Sequence, residues 1–387
     1  MRFHPGRRFA VTVEPRARLL SLDVMRGATI AGMLLVNNAG DWSRTFAPLL
    51  HAKWNGWTPT DLVFPFFLFM VGVAIPLAFA KRLEQSGGDL RPLYRQIVRR
   101  TVIIFALGLF LTWFPFMGID WSRVRIPGVL QRIAVVYVFA SLAYLHLSTR
   151  GRAWLAGGLL LGYWLAMTLV PVPGFGAGDL SPDGNLAGWV DRLILGPHVW
   201  RYAPGPADPE GILSTLPAVA TALAGIFTGE WLRTRRNEDQ KLIGLFVAGA
   251  IAAAAGAVFG WFFPVNKNLW TSSYVVLTAG LALLTLGAVY FFVDIRKRTT
   301  WATPFVVFGV NSIAAYVLSG LIAKVLLKIR WTGADGSSIS LKSWLYGNFF
   351  ASWMPEYFAS LAWALVHVLV VLAVMWWLYR KKIFIKI

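Results

Sequence analysis

Apolar residues are laid along this chain in long blocks rather than in alternation, and short polar segments separate the blocks at fairly even intervals. Ten runs approach the roughly 20 residues that an α-helix needs to cross about 30 Å of hydrocarbon: 19–38, 61–80, 101–117, 129–147, 153–170, 212–232, 242–263, 272–293, 302–327 and 357–379. Transmembrane strands would instead alternate apolar and polar positions. The pattern predicts an all-α, polytopic membrane protein with about ten transmembrane helices in one bundle, forming a single domain over 1–387. Pro76 and Pro217 fall inside predicted helices, where a kink can border a cavity.

The segments between the runs give the bundle an orientation. An even number of spans puts both termini on one side. The segments on that side (1–18, 81–100, 148–152, 233–241, 294–301 and 380–387) hold 24 Lys and Arg, against 10 in the longer opposite loops. Positive charge is retained in the cytoplasm, so both termini are expected to be cytoplasmic, the protein to lie in the inner membrane, and the loop carrying His51 to face the periplasm. Arg7-Arg8 is followed by a stretch too polar for the core of a signal peptide, which predicts an uncleaved first helix. The longest outer segment, Pro171 to Gly211, is rich in Pro, Gly and Asp and reads as a structured cap; Gly336 to Ser340 reads as an exposed turn.

Composition narrows the function classes. The chain is 57 % hydrophobic and only 14 % charged, yet carries a formal net charge of +19. On a soluble chain that charge would point to nucleic acid. Here it sits between apolar runs, so the expected partner is the lipid bilayer and not nucleic acid. Cysteine is absent, which excludes disulfides, Cys-ligated zinc, iron–sulfur clusters and a cysteinyl acyl-enzyme. No Walker loop, dinucleotide fingerprint, zinc-spaced His pair or serine elbow occurs, and His4, His146, His198 and His367 are scattered, so no metal is expected.

Candidate chemistry concentrates between Asn37 and Pro65. His51 has a reference pKa near 6.5 and can accept a proton at neutral pH, and Asp61 can fix its tautomer if the loop folds back. Asn37 closes the first span as a cap or a hydrogen-bond donor. Trp54 is an interfacial indole by default and also suits stacking on a sugar, with Asn55 beside it. Asp23 and Arg26, three apart, share one face of the first helix as a self-neutralising pair or as an anchor for an anionic ligand. Gln131 and Arg132 open the fourth span, and Lys324 lies deeper in its span, from where it can snorkel. Glu210 precedes the sixth span, where it complements the helix dipole, and Asn266-Lys267-Asn268 forms a donor-rich connecting turn.

Taken together, these segments resemble the heparan-α-glucosaminide N-acetyltransferase family, including its bacterial relatives. The matching pieces are Arg18 to Gly27 (RLLSLDVMRG), Val36-Asn37, His51 to Gly56 (HAKWNG), Asp61 to Pro65 (DLVFP), Arg125 to Arg132 (RIPGVLQR), Asp208 to Gly211 (DPEG), Pro264 to Trp270 (PVNKNLW) and Gly309 to Ser312 (GVNS). They run in family order over roughly 18–325. The resemblance implies transfer of acetyl from cytoplasmic acetyl-CoA to the amine of a glucosamine-type sugar or glycan across the membrane, and it leaves room for a homodimer. It places the family's active-site histidine on His51 and its nearby asparagine on Asn37; the chemistry of the residues adds Asp61 to orient His51, as base or transient acyl carrier, and gives the acetyl-CoA site to the cationic and donor groups Arg26, Gln131, Arg132 and Lys267. The acceptor site falls to Trp54, Asn55, Glu210, Asn266 and Asn268. The lysosomal member has a further N-terminal luminal region and a preceding span, so its heparan sulfate substrate is not carried over. A secondary transporter of an amino sugar also suits buried charges in a kinked bundle. The outer His51 loop opposite inner arginines favours the enzyme.

Overall fold

A computed structural model describes residues 19–116, 118–200, 208–333 and 336–385. The polar N-terminal segment 1–18, with Arg7-Arg8, lies outside the described residues, as does the 201–207 part of the predicted cap. Each of the ten apolar runs falls on helix. The first five form α1 (Leu20–Asn37), α2 (Val63–Gln85), α3 (Arg91–Trp113), α4 (Val129–His146) and α5 (Thr149–Leu169). A short α6 (Leu186–Leu195) lies within the cap, followed by α7 (Thr215–Arg233), α8 (Glu238–Phe259) and α9 (Ser272–Tyr290). The ninth run is broken into α10 (Thr303–Val310) and α11 (Ser312–Lys328), bent by 77°. After a short α12 (Leu341–Tyr346), α13 (Glu356–Arg380) closes the bundle. Seven described helices are long and apolar enough to cross a membrane alone, and the bent pair makes eight. The other two runs, α5 and α7, have 21 and 19 residues.

Close helix contacts rest on small residues, as in membrane bundles where backbone approach replaces a hydrophobic driving force. A Cβ at Gly72 of α2 would stand 2.0 Å from the Ala222 carbonyl oxygen of α7, and one at Gly225 of α7 would stand 2.1 Å from that of Phe69. Gly27 and Gly309 do the same for α1 against α10, where each backs onto the other helix's carbonyls. The main core gathers Leu68, Ile75, Ile133, Val136, Ala222 and Phe308 among α1, α2, α4, α7 and α10. By contrast α8 buries little beyond its contact with α9, and Ile243, Val247 and Ile251 face outward as lipid-facing residues would.

Pro217 is the third residue of α7, where the proline costs no intrahelical bond, and Pro76 lies inside the continuous helix α2. A sharp break comes at Asn311, whose side chain donates to the Ile383 carbonyl at 3.1 Å and accepts from the Ile385 amide at 2.8 Å. The Asn311 side chain thus ties the break to the C-terminal segment, while its amide donates to the Phe308 carbonyl at 3.2 Å and its carbonyl accepts from the Ala315 amide at 2.9 Å, so its backbone stays satisfied inside the bundle.

The loops meet at opposite ends of the bundle in the order the sequence predicts. At one end the Trp54 indole donates to the Leu180 carbonyl at 2.8 Å, Arg125 pairs with Asp208, and Lys342 donates to the Ala39 carbonyl at 2.9 Å. Two antiparallel hairpins, β1 (Pro171–Val172) with β2 (Gly176–Ala177) and β3 (Arg330–Thr332) with β4 (Ser338–Ser340), belong to the connections at this end. At the other end Asp294 accepts from the Leu20 and Ser21 amides at 3.0 Å, capping the start of α1, and Arg152 pairs with Glu230.

Candidate active site

The His51 group is assembled by a capping motif. Thr58-Pro59-Thr60-Asp61 opens the turn that leads into α2: the chain carries Thr at the cap, Pro in the first turn and an acid three residues later. Asp61 Oδ2 accepts from the Thr58 amide at 3.0 Å and also from the Ala52 amide at 2.9 Å, so one carboxylate oxygen folds the 51–58 loop back onto the helix start. Its other oxygen, Oδ1, lies 2.6 Å from His51 Nδ1. Asp61 is 1 % exposed, and the Tyr274 hydroxyl donates to its backbone carbonyl at 2.5 Å. Three donors around one buried carboxyl, the Thr58 and Ala52 amides and His51, suit an ionised, acceptor-only group.

That anchoring defines the state of His51. A carboxylate at Nδ1 requires the N–H there, so the lone pair is left on Nε2 of a side chain that is 45 % exposed. Lys267 Nζ lies 2.9 Å from Nδ1, 3.2 Å from Nε2 and 3.4 Å from Asp61 Oδ1. Burial lowers the Lys267 ammonium from its ordinary range, and the Asp61 and Glu210 charges oppose that shift. The arrangement offers an imidazole base with a fixed tautomer, and beside it a cation able to offset developing negative charge.

The 264–271 turn is built around Asn266. Its Oδ1 accepts from the Leu269 amide at 2.9 Å, its Nδ2 donates to Asn55 Oδ1 at 3.1 Å, and it is fully buried. The Gly56 amide donates to the Val265 carbonyl at 2.7 Å. The two donor-rich motifs therefore meet edge to edge, with Asn55 and Asn268 at their surface. Trp54 holds the cap down through its indole bond to Leu180.

The remaining sequence candidates separate. Asn37 ends α1 as an exposed residue and makes no hydrogen bond to the His51 group. Arg26 lies 3.5 Å from Asp23, and its Nη1 donates to the Gly309 carbonyl at 3.4 Å. It lines a cavity of about 240 Å3 in the half of the bundle away from His51, together with Arg100, Tyr137 and Ser312. Arg132 is elsewhere, in the first turn of α4: it is 2 % exposed, donates to the Gly211 carbonyl at 3.1 Å and to Ser214, and stacks 5.1 Å from the Trp270 ring. Gln131 donates to the Ile126 carbonyl at 3.0 Å and fills the space left by Gly108 and Gly128. Glu210 pairs with Arg125, which also grips Asp208 through two bonds of 2.6 and 2.8 Å.

Five contributors were not assigned from the sequence. Thr58 was readable from the capping-box spacing. Arg125 stood inside a quoted motif, but its partners are more than 80 residues away. Arg100 and Tyr137, stacked at 5.0 Å, and Tyr274 carry no local signal at all. No group of three or more His, Asp or Glu suited to a metal occurs among the described residues.

Comparison with known proteins bears out the resemblance read from the motifs. Residues 18–185 match a family described as a domain of unknown function, DUF5009. Over 96 % of its length the chain is similar to heparan-alpha-glucosaminide N-acetyltransferase, 32 % identical to that of Homo sapiens and 30 % identical to that of Mus musculus, and it spans 60 % of the length of these relatives.

Proposed function

We propose that this protein is an acetyltransferase of the membrane that moves acetyl from acetyl-CoA, arriving at the end of the bundle away from His51, to the amine of a glucosamine-type acceptor at the His51 end. The observation that carries the reading is the His51–Asp61–Lys267 group, a tautomer-fixed imidazole on an exposed rim beside a partly buried cation. The similarity to N-acetyltransferases supplies the reaction class.

In this reading His51 Nε2 takes a proton from the attacking amine as the N–C bond forms, and the thioester C–S bond breaks as the tetrahedral intermediate collapses. The proton then passes from His51 to the departing thiolate, leaving an amide and a free thiol. Asp61 holds the imidazolium in place, and Lys267 offsets the developing oxyanion. The Arg26 and Arg100 guanidiniums, which face the far cavity, fit the phosphate-bearing part of a coenzyme A thioester entering from the cytoplasm. The orientation rests on the excess of Lys and Arg in the loops at that end.

The test is transfer from labelled acetyl-CoA to amino sugars by purified His51→Ala and His51→Gln. Both are expected to fold, because the side chain is half exposed, and to lose roughly 10² to 10⁴-fold in rate with the loss of a general base. Near-normal transfer by either folded variant contradicts the role. Absence of transfer by the parent protein, together with uptake of the sugar, favours a transporter.

A further inference from the structure

A groove of about 680 Å3, separate from the Arg26 cavity, runs along the length of α4. One stripe of that helix lines it, Arg132, Val135, Phe139, Leu142 and His146, at the three- and four-residue spacing of a single face. Leu155 and Leu159 of α5 and Leu216 and Val219 of α7 form the opposing wall. From Gln131 to Leu147 the α4 side covers roughly 24 Å at the helical rise, most of a hydrocarbon layer. Phe139 is 56 % exposed and Leu216 43 % exposed, so the groove opens sideways, where a spanning bundle meets lipid chains.

Its polar groups are confined to the ends. At the far end stands His146, hydrogen-bonded to Tyr94 at 2.7 Å. At the near end the lining includes Arg132 and Glu210, the latter paired with Arg125. Arg132 Nε and Nη1 are buried without a hydrogen-bond partner. None of the nearby carboxylates bonds these donors: Asp208 and Glu210 hold Arg125, and Asp191 Oδ1 accepts from the Ile212 amide at 2.8 Å while its Oδ2 is likewise without a partner. A buried guanidinium with idle donors is costly unless a ligand supplies acceptors. Beneath it lies Trp270, three residues from Lys267 in the turn that touches His51.

We propose that this groove seats the hydrocarbon tail of a lipid-linked amino sugar, with its phosphate against the idle donors of Arg132 and its amine beyond them, toward His51. The acceptor then reaches His51 from within the bilayer. An apolar channel of lipid length that ends in a cation with idle donors matches an amphiphile with a phosphate headgroup. The assignment rests on the reading of the chain as an amino-sugar acetyltransferase, and it specifies the acceptor class.

The experiment compares two acceptors with the full chain in nanodiscs: glucosamine 1-phosphate, and glucosamine linked through phosphate to a prenyl chain that carries a diazirine. The tailed acceptor is expected to show at least a tenfold lower KM and, on illumination, to label α4 and α7 peptides. Val135→Trp, one turn inward from Arg132, fills the groove and should abolish both effects; Val135→Phe serves if the larger residue fails to fold. Equal KM values for the two acceptors overturn the proposal. A tail advantage that persists in the groove-filling variant also overturns it, because the tail would then only concentrate the acceptor in the membrane. Labelling that ordinary phosphatidylglycerol competes away as well as the tailed sugar does assigns the groove to bulk lipid and overturns it too. If no amino sugar is acetylated, the enzymatic reading falls, and labelling then decides separately: α4 labelling lost in the Val135 variant retains the groove as a lipid-linked sugar site, and labelling elsewhere removes it.

Discussion

Replacing Asp61 by Asn separates the role of its charge from the role of its shape. The amide keeps one oxygen, which can still accept from the Ala52 and Thr58 amides and so preserve the helix start. The nitrogen that takes the other position then faces His51 Nδ1 as a donor. Two donors cannot share that 2.6 Å contact, so the imidazole must move its proton to Nε2 and give up the lone pair that serves as base. The expected loss of acetyl transfer is about 10² to 10⁴-fold, the value of a positioned base.

Stability changes for a different reason. Lys267, 17 % exposed, loses a counter-charge at 3.4 Å, and a charge-assisted hydrogen bond to His51 becomes a neutral one. Discounting the lysine for its partial exposure, the combined cost is about 2–3 kcal/mol. Adding Lys267→Met to Asp61→Asn removes the unpaired cation and should restore roughly 1–2 kcal/mol without restoring the rate. Thermal melts and single-turnover transfer from labelled acetyl-CoA measure the two quantities. A folded Asp61→Asn protein whose rate stays within about threefold of the parent would refute the tautomer argument.

Two further outcomes follow from other parts of the molecule. Burial, reinforced by the nearby Asp208, pushes the Asp191 carboxyl up from its ordinary 3.8 to about 6; the folded protein therefore holds a proton that the unfolded chain has released, and stability should fall by about 3 kcal/mol as pH rises from about 4 to 6 and stay level above. Asp191→Asn should flatten that slope in melts taken across the window, and an unchanged slope would remove Asp191 as its cause. Because the chain has no cysteine, single cysteines at Ser43 and Ser181 should react with an impermeant thiol reagent on intact cells and one at Gln240 should not; labelling at Gln240 alone would invert the orientation.

Much of the bundle was legible because crossing hydrocarbon imposes a length and a composition that a sequence displays directly. What hydropathy missed is where helices outlast the apolar run. α3 begins at Arg91, ten residues before the predicted start, because Arg95, Arg99 and Arg100 continue the helix beyond the apolar core. The break at Asn311 has no proline at it, the nearby Gly309 serves the close approach to α1, and the break is held by a contact with residues more than 70 positions away. Within the site, the His51–Asp61 contact was readable because both residues lie in one short loop. Lys267 was read as a phosphate-binding cation because its sequence neighbours are donors; its position over His51 is set by α8 and α9 folding back 216 residues downstream. Arg26 and Arg132 were grouped by charge, and the structure puts them in different cavities because helices α1 and α4 present them at different depths.

The central claim, transfer between opposite ends of the bundle, is tested most directly in sealed liposomes that hold the purified protein in a defined orientation, with labelled acetyl-CoA and glucosamine on opposite sides of the membrane. With acetyl-CoA supplied only to the Arg26 end and the amine only to the His51 end, labelled N-acetylglucosamine should accumulate on the His51 side, and the same protein carrying His51→Gln should form little. Product formed only when both substrates share one compartment, or labelled sugar appearing across the membrane without acetylation, would contradict the account.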